Sequence, residues 1–67
     1  MNAKEFGKII QDKRKQIGIT QKYLAAISNT GIRFISDLEN GKPTVQLDKA
    51  FIVAKTLNIE IRMISHE

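Results

Sequence analysis

The sequence has no cysteine, no tryptophan and a single histidine among its 67 residues. Without cysteine it can form neither a disulfide framework nor a thiolate metal site, and one histidine is too few for an all-protein zinc site. We therefore expect no metal and no cofactor. A domain of this size buries only about 60% of the surface that its unfolded chain exposes, and such domains commonly need reinforcement. Well-packed helices or association with a second copy are the sources that remain.

Long apolar runs are also missing. The longest span only a few residues, whereas a helix that crosses a bilayer needs roughly 18. The N-terminal residues 1–5 are polar and lead into no apolar stretch, so no signal peptide is expected. The sequence predicts a soluble, cytoplasmic chain without a membrane segment.

Positive charge is present in excess and is unevenly distributed. Lysine and arginine total 11 against 7 acidic residues, which gives a net charge of +4. Residues 1–22 carry six positive and two negative charges, and residues 23–67 carry five of each. A basic end favours a polyanionic partner, although a run such as residues 13–15 is also typical of a solvated helix face.

Apolar periodicity and capping signals predict four helices. Asn2 and Glu5 form a capping box for a first helix, and Thr20 is suited to cap a second. The predicted spans are 3–17, 21 to about 27, 32 to about 40, and a last helix from near 45–47 to near 58. The predicted inner faces are Phe6, Ile9, Ile10 and Ile17; Leu24 and Ala25; Ile35 and Leu38; and Leu47, Phe51, Ala54 and Leu57.

Glycine and asparagine mark the breaks between these helices. Gly18 and Gly41 are suited to end the first and third helices. Residues 28–31 form a four-residue turn, in which Asn29 can adopt the left-handed conformation at small cost. Two short helices joined by such a turn fit a helix-turn-helix, whose second helix is suited to a DNA major groove.

The C-terminal tail changes its period. Residues 59–63 alternate apolar and charged side chains, which predicts a strand and divides the chain into a domain of residues 1–58 and a tail of residues 59–67. A lone strand in a helical chain needs a partner for its backbone groups, and a second copy can supply one. Antiparallel pairing about Ile61 would place Glu60 opposite Arg62 of the other copy. The alternative is a frayed tail.

Two stretches carry a family resemblance. Residues 20–25 read Thr-Gln-Lys-Tyr-Leu-Ala, and residues 33–44 read Arg-Phe-Ile-Ser-Asp-Leu-Glu-Asn-Gly-Lys-Pro-Thr. Together they resemble the DNA-binding domain of the Xre/Cro and phage-repressor family, and within it the HipB-type antitoxin repressors. The resemblance covers about residues 4–64 and implies a mostly α fold. That fold is a four-helix, lambda-repressor-like helix-turn-helix domain with a C-terminal β-strand (Ile59, Glu60, Ile61, Arg62, Met63) that pairs across a dimer.

The resemblance, together with the chemistry of the residues, implies a DNA-contacting set. The base-facing candidates are Ile32, Arg33, Ser36 and Asp37, and the phosphate-binding candidates are Thr20, Gln21, Gly31, Asn40 and Lys42. Arg33 is the main candidate for base readout, because a guanidinium pairs bidentately with guanine. Asp37 either holds Arg33 as an i,i+4 pair or accepts a hydrogen bond from a cytosine amine.

One charged pair and two apolar side chains also relate to the family pattern. Arg14 matches the family arginine that pairs with the glutamate ending the third helix, here Glu39, although a phosphate contact is the alternative. Phe34 and Ile27 are apolar at positions where the family usually has polar residues. Phe34 either packs against the second helix or contacts DNA or a partner protein. Ile27 could join Phe34 in such a contact patch.

The sequence therefore predicts a dimeric, sequence-specific repressor that binds a palindromic double-stranded DNA operator. The resemblance further implies that it serves as the antitoxin of a HipA-like kinase toxin. The alternatives are a stand-alone Xre-type regulator of other genes and a protein-interaction module that kept the fold without DNA binding. An enzyme is not expected, because the only histidine is His66 near the end of the chain and no cysteine or glycine-rich phosphate loop is present.

Overall fold

The computed structural model of the protein describes residues 1–65 and contains four helices. They are α1 (Ala3–Ile17), α2 (Gln21–Ile27), α3 (Ile32–Glu39) and α4 (Leu47–Thr56). Asn2 accepts a hydrogen bond from the amide of Glu5 at 2.8 Å, and Thr20 caps α2 in the same way through the amide of Tyr23 at 3.0 Å. The predicted number and order of helices are confirmed. Within residues 1–65, none of the helices combines the length and apolar character needed to cross a bilayer.

All four helices end in the same hydrogen-bonded cap. A residue with positive φ follows each helix: Gly18 (79°), Asn29 (55°), Gly41 (79°) and Asn58 (60°). Its amide donates to the carbonyl three residues earlier, and the next amide donates to the carbonyl five residues earlier. This is the Schellman motif, which satisfies carbonyls that the helix end leaves free. Each chain reversal is therefore set by local backbone geometry.

The core lies where α1 and α2 pack against α3 and where α4 closes the remaining side. Its fully buried members are Ile10, Leu24, Ala25, Ile35, Leu38, Ala50, Val53, Ala54 and Leu57. Phe6, Ile19, Phe34, Val45 and Ile59 are partly buried and pack against this cluster. Burial of apolar side chains of this kind is the main favourable term in folding.

The predicted inner faces of α1 and α4 are wrong in part. Ile9 and Ile17 on α1 are exposed, as are Leu47 (65% exposed) and Phe51 (42% exposed) on α4. Ala50 and Val53 occupy the inner face of α4 instead. Residues 50–54 are all apolar, so periodicity alone does not determine which side of α4 faces inward.

The predicted strand at residues 59–63 is not formed. Within residues 1–65 there is no strand, and the tail after Asn58 has no regular secondary structure. A strand needs a neighbour to complete its hydrogen bonds, and a single chain offers none here. Ile59 instead packs on the core, and Arg62 Nε donates to Glu60 Oε1 of the same chain at 3.1 Å. His66 and the end of the predicted tail domain lie outside the described residues.

Gly7 allows α1 to approach the end of α3 closely. This glycine is buried in α1, and a β-carbon there would overlap the carbonyl oxygen of Leu38. The same β-carbon would lie 3.0 Å from the carbonyl oxygen of Glu39. The atoms in the way belong to the backbone and cannot rotate aside. The absence of a side chain at Gly7 therefore sets the spacing between the two helices.

Gly7→Ala is expected to destabilise the fold by about 1–3 kcal/mol. The overlap with backbone atoms outweighs the gain in helix propensity, which is about 1 kcal/mol for alanine over glycine. Urea unfolding followed by circular dichroism measures the change. Gly31→Ser is the matched control, since a β-carbon at Gly31 has no atom within 4 Å and serine is a good N-cap. Equal stability of the two variants would contradict the close packing.

Candidate nucleic-acid interface

The turn between α2 and α3 is held by side-chain as well as backbone bonds. Ser28 is buried; its hydroxyl donates to the carbonyl of Leu24 at 2.7 Å and lies 2.9 Å from the hydroxyl of Thr30. Asn29 adopts the left-handed conformation predicted for it. Leu24 before the turn and Ile35 after it are both fully buried. The two helices are therefore fixed relative to each other by a short bonded turn and a shared core.

The outer face of α3 carries the four predicted base-facing residues. Ile32 (54% exposed) and Arg33 are exposed, and Ser36 and Asp37 are half-buried. Positions i, i+1, i+4 and i+5 of a helix lie within an arc of about 140°. Ile35 and Leu38 point into the core from the opposite side. The structure thus brings these four side chains onto one solvent-facing surface, which we call the α3 outer face (Ile32, Arg33, Ser36, Asp37).

The predicted phosphate-binding residues lie at the ends of α2 and α3. Thr20 and Gln21 are at the start of α2, Gly31 precedes α3, and Asn40 and Lys42 follow it. Gly31 caps α3 without a side-chain hydrogen bond. Along the chain, these residues therefore lie before and after the α3 outer face.

A buried ion pair joins α1 to α3. Arg14 Nε donates to Glu39 Oε2 at 2.6 Å, and Nη2 donates to Glu39 Oε1 at 3.0 Å. Arg14 Nη1 donates to the carbonyl of Ile19 at 2.9 Å, in the connection that leads into α2. The structure thus brings together the two residues predicted to pair, in the bidentate geometry that a guanidinium and a carboxylate favour.

Gln21 belongs to the same hydrogen-bond network, although the sequence predicted only a phosphate contact for it. Its side-chain Nε2 donates to Glu39 Oε1 at 3.0 Å. An amide nitrogen carries two N–H groups, so one remains for another acceptor. Glu39 therefore orients the Gln21 amide at the start of α2. Nothing local to residue 21 signals this contact, because its partner is 18 residues away.

The network also determines the ionisation of its members. Burial alone would raise the pKa of Glu39, but hydrogen bonds from Arg14 and Gln21 outweigh it and hold that pKa below its ordinary value of 4.5. The hydrogen bond to Glu39 raises the pKa of Arg14. Both groups are therefore charged at neutral pH, and the Glu39 side chain is ionised although it is 0% exposed.

Asp37 does not form the predicted i,i+4 pair with Arg33 and instead lies beside Lys42. Its Oδ2 lies 3.5 Å from Lys42 Nζ, and among residues 1–65 it forms no ion pair with Arg33. Arg33 itself makes no side-chain hydrogen bond within the described residues, so its guanidinium faces solvent without a protein partner there. The loop after α3, and not the preceding turn of the helix, supplies the counter-charge of Asp37.

The two unusually apolar positions have separate environments. Phe34 is half-buried and packs against the core cluster. A contact of its exposed part with DNA or a partner stays a prediction. Ile27 is exposed on α2, one turn after the exposed Tyr23. Within residues 1–65 no three histidine, cysteine or acidic side chains are grouped to hold a metal ion.

This chain is similar to a known protein family and to two transcriptional regulators. The family profile described as helix-turn-helix matches residues 10–64. A relative from Sinorhizobium fredii, named uncharacterized HTH-type transcriptional regulator y4mF, is 38% identical over 61 residues, which cover 91% of this chain and 80% of the relative. A Haemophilus influenzae protein, named uncharacterized HTH-type transcriptional regulator, is 33% identical over 60 residues, which cover 90% of this chain but only 59% of that protein.

The lowered pKa of Glu39 predicts a loss of stability in acid. A carboxyl whose pKa is lower in the folded than in the unfolded state stabilises the fold above its unfolded value, and that contribution is lost as the pH falls through the folded value. We expect the free energy of unfolding to decrease below about pH 4.5, and Glu39→Gln to be less stable than the natural chain at pH 7 with a flatter pH profile.

Urea titrations between about pH 3 and pH 7 measure this dependence. The matched control is Asp12→Asn, which removes an exposed carboxylate that pairs with Lys8 on the surface of α1. The control is expected to follow the pH profile of the natural chain. A Glu39→Gln profile that runs parallel to that of the natural chain would contradict the role given to the Glu39 carboxylate.

Proposed function

The chain belongs to the helix-turn-helix family, and from this premise we propose that it is a sequence-specific repressor that reads its DNA operator with α3. The observation that carries the proposal is the α3 outer face. It presents one arginine without a protein partner among the described residues, on a helix whose opposite side is locked into the core. A rigid helix with free side chains on one face is suited to the major groove.

Arg33 supplies the base discrimination in this proposal. A guanidinium donates two parallel hydrogen bonds to guanine O6 and N7. The free-energy cost of forming them is lowest when the guanidinium has no ion pair in the protein to break. Ile32 is exposed beside it and can pack against a thymine methyl group. Ser36 completes the face one turn later. Sequence readout thus depends on a few side chains and not on the overall charge.

Phosphate contacts fix the register of α3 on the duplex. Thr20, Gln21 and Gly31 lie before the α3 outer face along the chain, and Asn40 and Lys42 lie after it. The remaining N–H of the Gln21 amide is held in place by Glu39 and is available to a phosphate oxygen. The basic α1 adds a long-range attraction to the polyanion. A bound protein blocks access of the polymerase to the promoter.

We propose that the functional unit is a dimer on a palindromic operator, with its two α3 helices about 34 Å apart in successive major grooves. An apolar cleft between α1, α4 and the tail supports this, since it is lined by Phe6, Ile9, Phe51, Ile59, Ile61 and Met63. A second tail, antiparallel about Ile61, would cover these side chains and complete the backbone hydrogen bonds of residues 59–63.

The antitoxin role is a finer proposal within this function. Its support is the resemblance of residues 33–44 to HipB-type repressors, and the partner would be a HipA-like kinase toxin. The alternative is a stand-alone regulator of other genes. A kinase-like reading frame directly beside this gene would favour the antitoxin role, and its absence would favour the stand-alone regulator.

Arg33→Ala is expected to lower the affinity for a selected operator by about 1–3 kcal/mol while leaving the affinity for random duplex nearly unchanged. The operator is obtained by selection from a random duplex pool, and both affinities are measured by fluorescence anisotropy at fixed salt. Arg33→Lys is the matched control; it keeps the charge but lacks the planar fork, so it should lose most of the discrimination as well.

Two outcomes would contradict the readout. An equal loss on operator and random duplex would show that Arg33 contacts phosphate. If the natural chain itself bound all duplexes alike, the repressor function would be excluded and a protein-interaction role favoured.

The dimer is tested through the charges of the tail. In antiparallel pairing about Ile61, Glu60→Arg places an arginine opposite Arg62 of the second copy, whereas Glu60→Arg combined with Arg62→Glu restores opposite charges. We expect sedimentation equilibrium to show weaker dimerisation for the single variant and recovery for the double variant. A natural chain that stays monomeric at all concentrations, or a single variant that dimerises normally, would exclude this pairing.

A further inference from the structure

The cap of α3 places two opposite charges side by side. In a Schellman motif the second residue after the helix cap lies over the residue five positions earlier, and an apolar contact commonly joins them. At the end of α3 these two residues are Lys42 and Asp37, joined by the backbone bond from Lys42 N to Asp37 O at 3.0 Å. Among the four helices, this is the cap in which the facing side chains carry opposite charges.

The ion pair made by this cap links two different parts of the proposed interface. Asp37 belongs to the α3 outer face and its side chain is 32% exposed, whereas Lys42 is one of the flanking phosphate-binding residues and is 53% exposed. Their separation of 3.5 Å is longer than that of a tight charge-assisted hydrogen bond, which is about 2.8 Å. An exposed pair of this length exchanges readily with other partners.

We propose that Asp37 restrains Lys42 and thereby couples base recognition to a phosphate contact; this inference rests on the proposed DNA binding. On non-operator DNA the ammonium group of Lys42 stays with the Asp37 carboxylate and contributes no phosphate contact. On an operator that presents a cytosine at this position, the N4 amine donates to Asp37 and takes the place of Lys42. Lys42 then turns to the adjacent phosphate.

The coupling explains how a carboxylate can lie on a DNA-facing surface. Alone, Asp37 would be repelled by every phosphate near it, and Arg33, although it is one turn away, does not neutralise it. With Lys42 in place the pair is nearly neutral on random sequence. On the operator the pair contributes a base contact and a phosphate contact together, so it increases the ratio of specific to non-specific affinity more than either residue could alone.

The test is a double-mutant cycle with Asp37→Asn and Lys42→Gln, in which affinities for random and selected duplex are measured across a salt series. On random duplex, Asp37→Asn should steepen the slope of log affinity against log salt by about 0.9 and raise the affinity at low salt, because one lysine is released to a phosphate. Lys42→Gln should lower the affinity of the natural chain for random duplex, because it leaves the Asp37 carboxylate unneutralised near the phosphates. In the Asp37→Asn background it should remove the added 0.9 from the slope.

On the selected operator the expected effects differ, because Lys42 contacts a phosphate in the natural chain. Lys42→Gln alone should lower the slope by about 0.9, and Asp37→Asn should reduce the preference for cytosine at one position. Asp48→Asn is the matched control, since it changes the net charge equally at an exposed carboxylate that forms no ion pair within the described residues. Asp37→Ser provides a second removal of the charge, and urea unfolding verifies that each variant is folded.

The outcomes separate this inference from the proposed function. If the natural chain binds no duplex, the proposed function fails. If it binds and prefers its operator, but Asp37→Asn and Asp37→Ser leave the random-duplex slope as it was, only the coupling is excluded. An increase of the same size in Asp48→Asn would likewise exclude it, because the effect would then follow net charge and not the pair.

Discussion

The geometry of this small domain depends on one buried carboxylate. Glu39 ends α3 and receives hydrogen bonds from Arg14 of α1 and Gln21 of α2, while Arg14 also bonds the connection into α2 at Ile19. An ionised carboxylate without partners in such a place costs several kcal/mol, so the three helices can meet only in an arrangement that brings all its donors to it. Because Gln21 begins α2 and Glu39 ends α3, this arrangement also sets the position of α3 relative to the start of α2.

The other constraints act on the same junction. Gly7 lets α1 approach the last carbonyls of α3, and within the described chain every buried side-chain polar atom has a partner. Hydrogen-bonded caps at the C-terminal ends of all four described helices fix the direction in which the chain leaves each helix. A chain without cysteine thus gains its rigidity from close backbone contact, satisfied polar groups and local caps. These features supply order where the apolar core is small.

Charge is divided between attraction and readout. The positive excess lies in α1 and at the start of α2, whereas the α3 outer face combines one arginine, one carboxylate and an adjacent lysine. Non-specific attraction to a polyanion depends on the first group and falls steeply with salt. In the proposed function, discrimination between sequences depends on the second group, where the partner of each charge matters more than the total charge.

The sequence by itself determined the features that act over a few residues: the number and order of the helices, the caps at Asn2 and Thr20, and the left-handed turn at Asn29. These depend on hydrogen bonds within five positions of the chain, so local residue types suffice. Only the tertiary structure decided the inner face of α4, the close approach at Gly7, the contact of Gln21 with Glu39, and the choice of Lys42 over Arg33 as the partner of Asp37. A helix with a continuous apolar run can bury more than one of its faces, so the packing of the other helices decides which face is inward. A charged side chain can pair with any opposite charge nearby, so the folded arrangement decides which partner is within reach.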